Sequence, residues 1–536
     1  MRRWLVMLWF GLGGLGFSGC APGTAGGDPS GGQDDAAGSG GSDPGARPGA
    51  DTPGSGSPAT DSPLPSPPVT GADRIPLTLT SDLAACSDCT VSLGVPLPPG
   101  LLKDSVLLRV LDEAGAEVPV HVLPLATWPR DRSLRSALVA FQLTLAKGAR
   151  KDWTVSLGAP RTQSAADLAP NPDGPVSAIL APDWYAASRV IGYQLSAASN
   201  QAFQEWEAEM DRYLQNMSPA WESYRMSCGT TSAERTYYDS PHALFQRFIH
   251  RGTAATYRRA RAESTWYRAN ELLWRGDTAI YACETGYQPG DEIDWGTVRR
   301  MLGQGMLDDY LLTGDPEARK ALKGLGEAFR QSHPANKNMY RITERNLAWP
   351  MMGMAAYYAV EQTAEVKGVL GELVDIALGW QAASGAFEHD IVRPDPSECG
   401  DGPNGASPFM TSLLVDGLIE SYFLLEDARI PAALLKAAAW YRDRARRGSV
   451  DAFQYLWNCR DTDYLGDDSF DPLNLLIVHV FGVAYLLSQD QAWLDFGDRV
   501  ASLGIEVMYG GAPKQWTQCG RSFLKYLGYR ALGRTP

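Results

Sequence analysis

At 536 residues the chain is too long for one ordinary core, and two folded units plus unstructured sequence are expected. Its formal net charge of −14 disfavours nucleic acid and anionic membrane faces as partners. The same balance counts against a strongly polyanionic substrate, unless a local basic cleft overrides it.

Residues 1–19 read as a secretory signal: Arg2 and Arg3 precede the apolar run Trp4 to Phe10, and small residues lead to Cys20. That run is too short to span a bilayer, and no later stretch reads as long and apolar enough to do so. The LGFSGC ending resembles the bacterial lipoprotein signal, which implies lipidation at Cys20 and a place in the cell envelope, at the outer membrane. Simple secretion is the alternative. Lipid and tether are then the only membrane attachment. Residues 20–73 are mostly Gly, Ser, Pro, Asp, Ala and Thr, cannot bury a core, and read as a flexible tether.

Eight cysteines less Cys20 leave an odd number. In an oxidising envelope the expected pairs are Cys86 with Cys89, Cys228 with Cys283 and Cys399 with Cys459, leaving Cys519 over. A zinc site at CSDC would need a second ligand pair, and none is suitably spaced nearby, so no metal and no cofactor are expected.

From 74 to 160 short β-rich runs are separated by Pro, Gly and Asp turns, the pattern of a small sandwich or barrel. SLGVPLPPGLLKD, LRVLDEAGAEVPVHVLPLATWP and LRSALVAFQ then resemble the N-terminal RIFT-type barrel of exo-rhamnogalacturonan-lyase-like proteins. That family follows its Trp-Pro with an Asp-Gly-Ser segment and an Arg-Trp pair. Here Trp128 and Pro129 lead through Arg130, Asp131, Arg132 and Ser133 to Arg135 and Ser136, without that glycine or the second tryptophan. Trp128 reads as a packed aromatic and Arg135 as a solvated charge. With His121 its only histidine, the barrel reads as support or a domain interface.

A connector over 161–198 also resembles that family, and 199–536 is helical in pattern. Thr343 to Thr363 reads as an amphipathic helix, with Leu347, Met351, Ala355 and Tyr358 on one face. Its aromatic-plus-polar-turn ending recurs at Phe248, Tyr310, Tyr358, Tyr422 and Tyr485, 48 to 64 residues apart. Five stacked hairpins follow, and a helix near 200–215 pairing with Cys519 to Leu532 would close a sixth. The expected architecture is a small β barrel followed by an (α/α)6-type toroid, with an open α-solenoid as the alternative. Segments 282–296, 386–412, 454–471 and 509–518 would gather at one mouth.

Toroids of this kind resemble polysaccharide lyases and glycoside hydrolases, whose active residues lie where inner helices start. That resemblance points to Tyr237, Tyr238, Asp239 and His242; to Asp291, Glu292 and Asp294; to Glu344, Arg345 and Asn346; to His389, Asp390 and Ser407; and to Tyr464, Asp467, Asp468 and Asp471. Asp239 and Asp471 also suit helix capping, and Glu344 suits the helix dipole. His250 and His479 read as core, and His333 as surface. Catalytic candidates are Tyr238, His242, Glu344, Arg345 and Asp471; substrate-binding candidates are Asp294, Trp295, Asn346, Trp349, His389 and Tyr464. Trp457 and Trp516 lie near the same loops.

A lyase acting by β-elimination would use Arg345 with Asn346 to neutralise a uronate, His242 as base and Tyr238 as acid. A hydrolase would pair Glu344 with Asp471, or Asp294 with either. A non-catalytic glycan-binding or scaffolding lipoprotein is the third possibility. The expected partner in each case is a carbohydrate.

Overall fold

The computed structural model describes residues 73–221, 235–282, 300–389, 405–457 and 473–534. Strands β1 (Arg74–Thr80), β2 (Cys86–Pro96), β3 (Leu108–Leu111), β4 (Glu117–Val118), β5 (His121–Thr127), β6 (Leu134–Leu145), β7 (Arg150–Leu157) and β8 (Ser177–Leu180) form two antiparallel sheets. One has the order β4-β3-β7-β1-β8 and the other β2-β6-β5. Strand β8 comes from the connector, so the β unit draws on sequence beyond residue 160. Among the described residues no ladder joins the two sheets, so the observed form is a pair of sheets over a shared core.

Leu77, Val110 and Val155 of one sheet and Val91, Val139 and Phe141 of the other are buried in that core, and Phe141 meets Trp153 at 5.1 Å between ring centres. Strand β6 is buried without alternation over Leu134–Phe141, because its second face is covered by helices. Cys86 and Cys89 form the expected disulfide, and Cys519 is free and buried. The other two expected pairs lie outside the described residues.

A short helix, α1 (Pro182–Ser188), and a longer one, α2 (Gln204–Trp221), lead into the helical part. The five expected hairpins are all present. They are α3 (Ser240–Arg251) with α4 (Ala254–Asn270), α5 (Gln304–Thr313) with α6 (Pro316–Asn336), and α7 (Glu344–Tyr358) with α8 (Ala364–Trp380). The fourth is α9 (Pro408–Leu425) with α10 (Ile430–Asp443), and the fifth is the broken pair α11 (Asn474–Ile477) and α12 (His479–Ser488) with α13 (Ala492–Val507). A last helix, α14 (Pro513–Gly533), packs on α2 as the sixth pair.

Packing between neighbours runs α3 to α5, α7, α9, α11 and α12, then α14, and from α14 back to α3, which closes a ring of inner helices. Trp206 of α2 donates its Nε1–H to Cys519 O at 3.2 Å and Trp516 of α14 donates to Met210 O at 3.1 Å, pinning the sixth pair. A small hairpin of β9 (Leu272–Arg275) and β10 (Thr278–Tyr281) follows α4. It lies too close to helical sequence, in strands of four residues, to give a readable period.

The inner helices correct the expectation of amphipathicity. In α7 every residue except Arg345 is buried, because an inner helix touches two neighbours, its outer partner and the filled axis. Helix α9 is a second correction: it is long and apolar enough by length and composition to cross a membrane, yet it sits buried within the ring.

The β unit covers the end of the ring where inner helices finish. Ser136 Oγ donates to Leu311 O at 2.6 Å, Tyr310 to Leu125 O at 3.2 Å and Gln362 to Thr127 O at 2.7 Å. Arg135, expected in solvent, is instead buried: its guanidinium stacks 4.7 Å from the Trp128 ring and donates to Val190 O at 2.6 Å. Trp128 packs as expected, donating to Leu97 O. His250 and His479 are core residues, whereas His333 is buried between Tyr340 and Glu372 rather than on the surface.

Candidate functional site

With one end of the ring covered, the inner-helix N-termini face the other end. Tyr237 stands there, one turn ahead of α3. Arg345 donates from Nη1 to the Tyr237 hydroxyl at 3.1 Å, and the Arg300 guanidinium and Lys514 Nζ lie 5.0 and 4.6 Å from the centre of its ring. These three cations precede or open α5, α7 and α14, so elements far apart in sequence bring them to one aromatic side chain. Tyr238 meets Tyr237 edge-on at 4.6 Å and Trp349 at 6.3 Å.

Tyr238 and Asp239 are consecutive non-glycine residues in the left-handed region, with φ of 67° and 62°. Such backbone is held by its surroundings. Here Asp239 accepts the His242 amide at 3.3 Å as N-cap and the Gly305 amide at 3.2 Å, so the capping reading of Asp239 is what the geometry gives.

Beneath Trp349 the axis is filled by buried ions. Arg521 lies 5.2 Å from a Trp349 ring and donates to Tyr238 O at 2.8 Å, Gln304 Oε1 at 2.7 Å and Asp416 Oδ2 at 2.9 Å. Lys525 reaches Asp416 Oδ1 at 2.6 Å and Glu420 Oε1 at 3.3 Å. Burial opposes ionisation of Asp416, yet Lys525 and Arg521 hold its carboxyl well below the usual range.

Deeper still, His242 Nδ1 meets Asp308 Oδ2 at 2.6 Å. Burial, then the Lys525 and Arg521 charges, push the imidazole well below its ordinary value. Burial, then Asp239 and Glu420, push Asp308 well above its own. Each shift favours the uncharged form of its group. Beside it lies a cavity of about 20 Å³, bounded by Arg135, Gln304, Met352 and Glu420 among others. Water fits a space of that size; a sugar ring does not.

No protein-family model and no curated protein matches the chain. Among solved structures it is similar to a glycosyl hydrolase of family 88 from Bacteroides vulgatus, at 12% identity over 61% of this chain and 99% of that one, with a TM-score of 0.42. A polysaccharide lyase matches at 12% identity over 61% and 97%, TM-score 0.41. A cellobiose 2-epimerase from Spirochaeta thermophila matches at 12% over 61% and 98%, TM-score 0.40. Likeness at this level identifies neither a family nor an activity.

The sequence candidates fall into three places. Tyr238, Trp349 and Arg345 lie at or just under the mouth, and His242 lies on the same axis but deeper, walled in by Asp308. Glu344 and His389 form a separate buried cluster with Ser407 and Thr411 between α7 and α9. Asn346 ties the start of α7 to the segment before it, donating to Met339 O at 3.1 Å. Trp516 is packing, and Trp457 pairs through its backbone with Ala406.

Asp471, Asp294, Trp295 and Tyr464 lie outside the described residues, as do Cys20, Asp291, Glu292, Asp390, Asp467 and Asp468. Sequence reasoning missed Arg300 and Lys514 at the mouth and Asp308, Asp416, Arg521 and Lys525 on the axis. The last three carried a readable signal. Asp416 with Glu420, and Arg521 with Lys525, are charged pairs spaced i, i+4 inside otherwise buried helices.

Proposed function

We propose that the chain is a carbohydrate-processing enzyme whose substrate enters at the Tyr237 mouth, and that the substrate is an acidic glycan cleaved by β-elimination. The observation that carries this reading is the convergence of Arg300, Arg345 and Lys514 on Tyr237 in a molecule whose formal charge is −14. Cations gathered round an aromatic side chain suit a uronate, stabilising negative charge as the α-proton leaves. In this reading Arg345 neutralises the carboxyl group. Tyr237, in reach of it, moves the proton in place of the walled-in His242, with Tyr238 and Trp349 behind it.

The β unit is read as the RIFT-type barrel of exo-rhamnogalacturonan-lyase-like proteins, and the chain as a lipoprotein held by Cys20 at the bacterial outer membrane. The hydrolase alternative pairs Glu344, which is fully buried, with Asp471, or Asp294 with either, and Asp294 and Asp471 lie outside the described residues.

The test is a screen of the purified protein on pectic, uronic and neutral glycans. Elimination gives unsaturated ends that absorb in the ultraviolet, and Arg345→Ala and Tyr237→Phe are expected to lower that signal at least a hundredfold. Reducing ends without ultraviolet absorbance would replace elimination by hydrolysis, and binding without product would replace both.

A further inference from the structure

Glu344 opens α7 one residue before Arg345. A first-turn acid ordinarily sits in solvent, where it favours the helix dipole. This one is fully buried and reaches into the next hairpin: Oε1 accepts the Ser407 amide at 2.7 Å and the Thr411 hydroxyl at 3.2 Å, and Oε2 stands 3.4 Å from His389 Nδ1. The segments it touches are themselves tied together. His389 and Gly405 exchange backbone hydrogen bonds at 2.8 and 3.0 Å, Ala406 and Trp457 at 2.8 and 3.3 Å, and Ser407 Oγ donates to Tyr455 O at 3.1 Å.

We propose that Glu344 is a positioning residue: its carboxyl clamps the rim segments at His389 and Ser407 to the first turn of α7, and so fixes the direction in which Arg345 leaves that turn toward Tyr237. The clamp gives the mouth its shape without touching substrate. Its relevance to turnover rests on the acidic-glycan reading above, but the clamp itself is measurable without any substrate.

The groups facing the carboxyl are Arg345 on its own helix, His389 on the rim, Ser407 at the N-cap of α9, Thr411 on α9, and Tyr441 on α10. Burial outweighs the Ser407 and Thr411 hydrogen bonds and pushes the carboxyl up to about 8, so near neutrality it is an uncharged acid. A raised value in the folded state means that the folded chain keeps a proton the unfolded chain has lost. This contribution is complete below the ordinary value of 4.5 and is lost as pH rises to about 8.

The test uses the full chain with Glu344→Gln, Glu344→Asp and Glu344→Ala. Hydrogen exchange is followed at residues 405–411, thermal midpoints are taken from pH 5 to 9, and turnover is measured on polygalacturonate. Glu344→Ala is expected to speed exchange at Ser407 by about tenfold or more. Glu344→Gln, uncharged at every pH, is expected to keep that protection and to lose the fall in midpoint between pH 5 and 8. Should the alanine variant not fold, the glutamine and aspartate variants carry the comparison.

Unchanged exchange in Glu344→Ala or Glu344→Asp, whose shorter side chain cannot span the same gap, would overturn the clamp. So would loss of turnover in Glu344→Gln with exchange protection intact, because the carboxyl would then act on substrate. If the wild type gives no unsaturated product on polygalacturonate or on any other glycan of the screen, the elimination reading fails while exchange and midpoints still decide the clamp.

Discussion

Asp416 shows how a few side chains decide the stability of the ring. Its two oxygens take Arg521 at 2.9 Å and Lys525 at 2.6 Å, and all three side chains are almost wholly out of solvent. A buried pair gains little over an apolar substitute, but removing one member strands the others without water. Asp416→Ala is therefore expected to destabilise the chain by about 3–5 kcal/mol, read as a fall in the urea midpoint. By contrast Arg130 and Glu426 meet at 3.3 Å in the open, and Arg130→Ala should change stability by less than about 1 kcal/mol. An equal effect of the two substitutions would mean that water reaches the axis.

At the scale of the element, the hairpins were legible in the sequence because helix ends are set by local chemistry. Gly252 and Gly314 end inner helices in the left-handed region, while Thr253, Asp315 and Thr363 accept the first amides of the outer helices that follow. The faces of the inner helices were not legible. In α7 and α9 nearly every position is buried, so no apolar stripe marks which side meets the axis, and the site assignments drifted to whatever polar residues stood at helix starts. Glu344 is the example: it stands at a helix start, but it points to the next hairpin rather than to the mouth.

Glu207 of α2 takes the part that a covalent link would take in closing the ring's first helix onto α3. It accepts from Arg247 at 2.7 Å, forms an ion pair with Arg251 at 3.0 Å and also meets His250. Burial opposes its charge, but His250, Arg247 and Arg251 bring its carboxyl down to about 2. A lowered value in the folded state gives stability that is complete above the ordinary 4.5 and is lost as pH falls toward 2, on the order of 3 kcal/mol in all. Glu207→Gln should remove that acid limb from a plot of stability against pH. An unaltered limb would assign the acid sensitivity to other carboxylates.

For the whole molecule, the β unit acts as a stopper fitted by backbone contact rather than by a flexible tether. At Gly94 of β2 an added Cβ would fall on Leu311 O and lie 2.7 Å from Leu312 C, so strand and helix meet at a distance that only glycine allows. Gly528 does the same where α14 meets the connector, with a Cβ 2.6 Å from the Tyr193 carbonyl. Gly94→Ala must therefore push β2 away from α5 and loosen the hydrogen bond from Ser136 to Leu311, at a cost of about 1–3 kcal/mol concentrated at the junction. Gly115, with φ of 79° and nothing within 4 Å of an added Cβ, is the control, since alanine there strains one turn and leaves the junction alone. Scanning calorimetry should give one transition for the wild type and for Gly115→Ala, and two for Gly94→Ala as sheets and ring uncouple. A single sharp transition in Gly94→Ala would mean that the remaining junction contacts, Tyr310 to Leu125 O and Gln362 to Thr127 O, keep sheets and ring coupled without the close approach at Gly94.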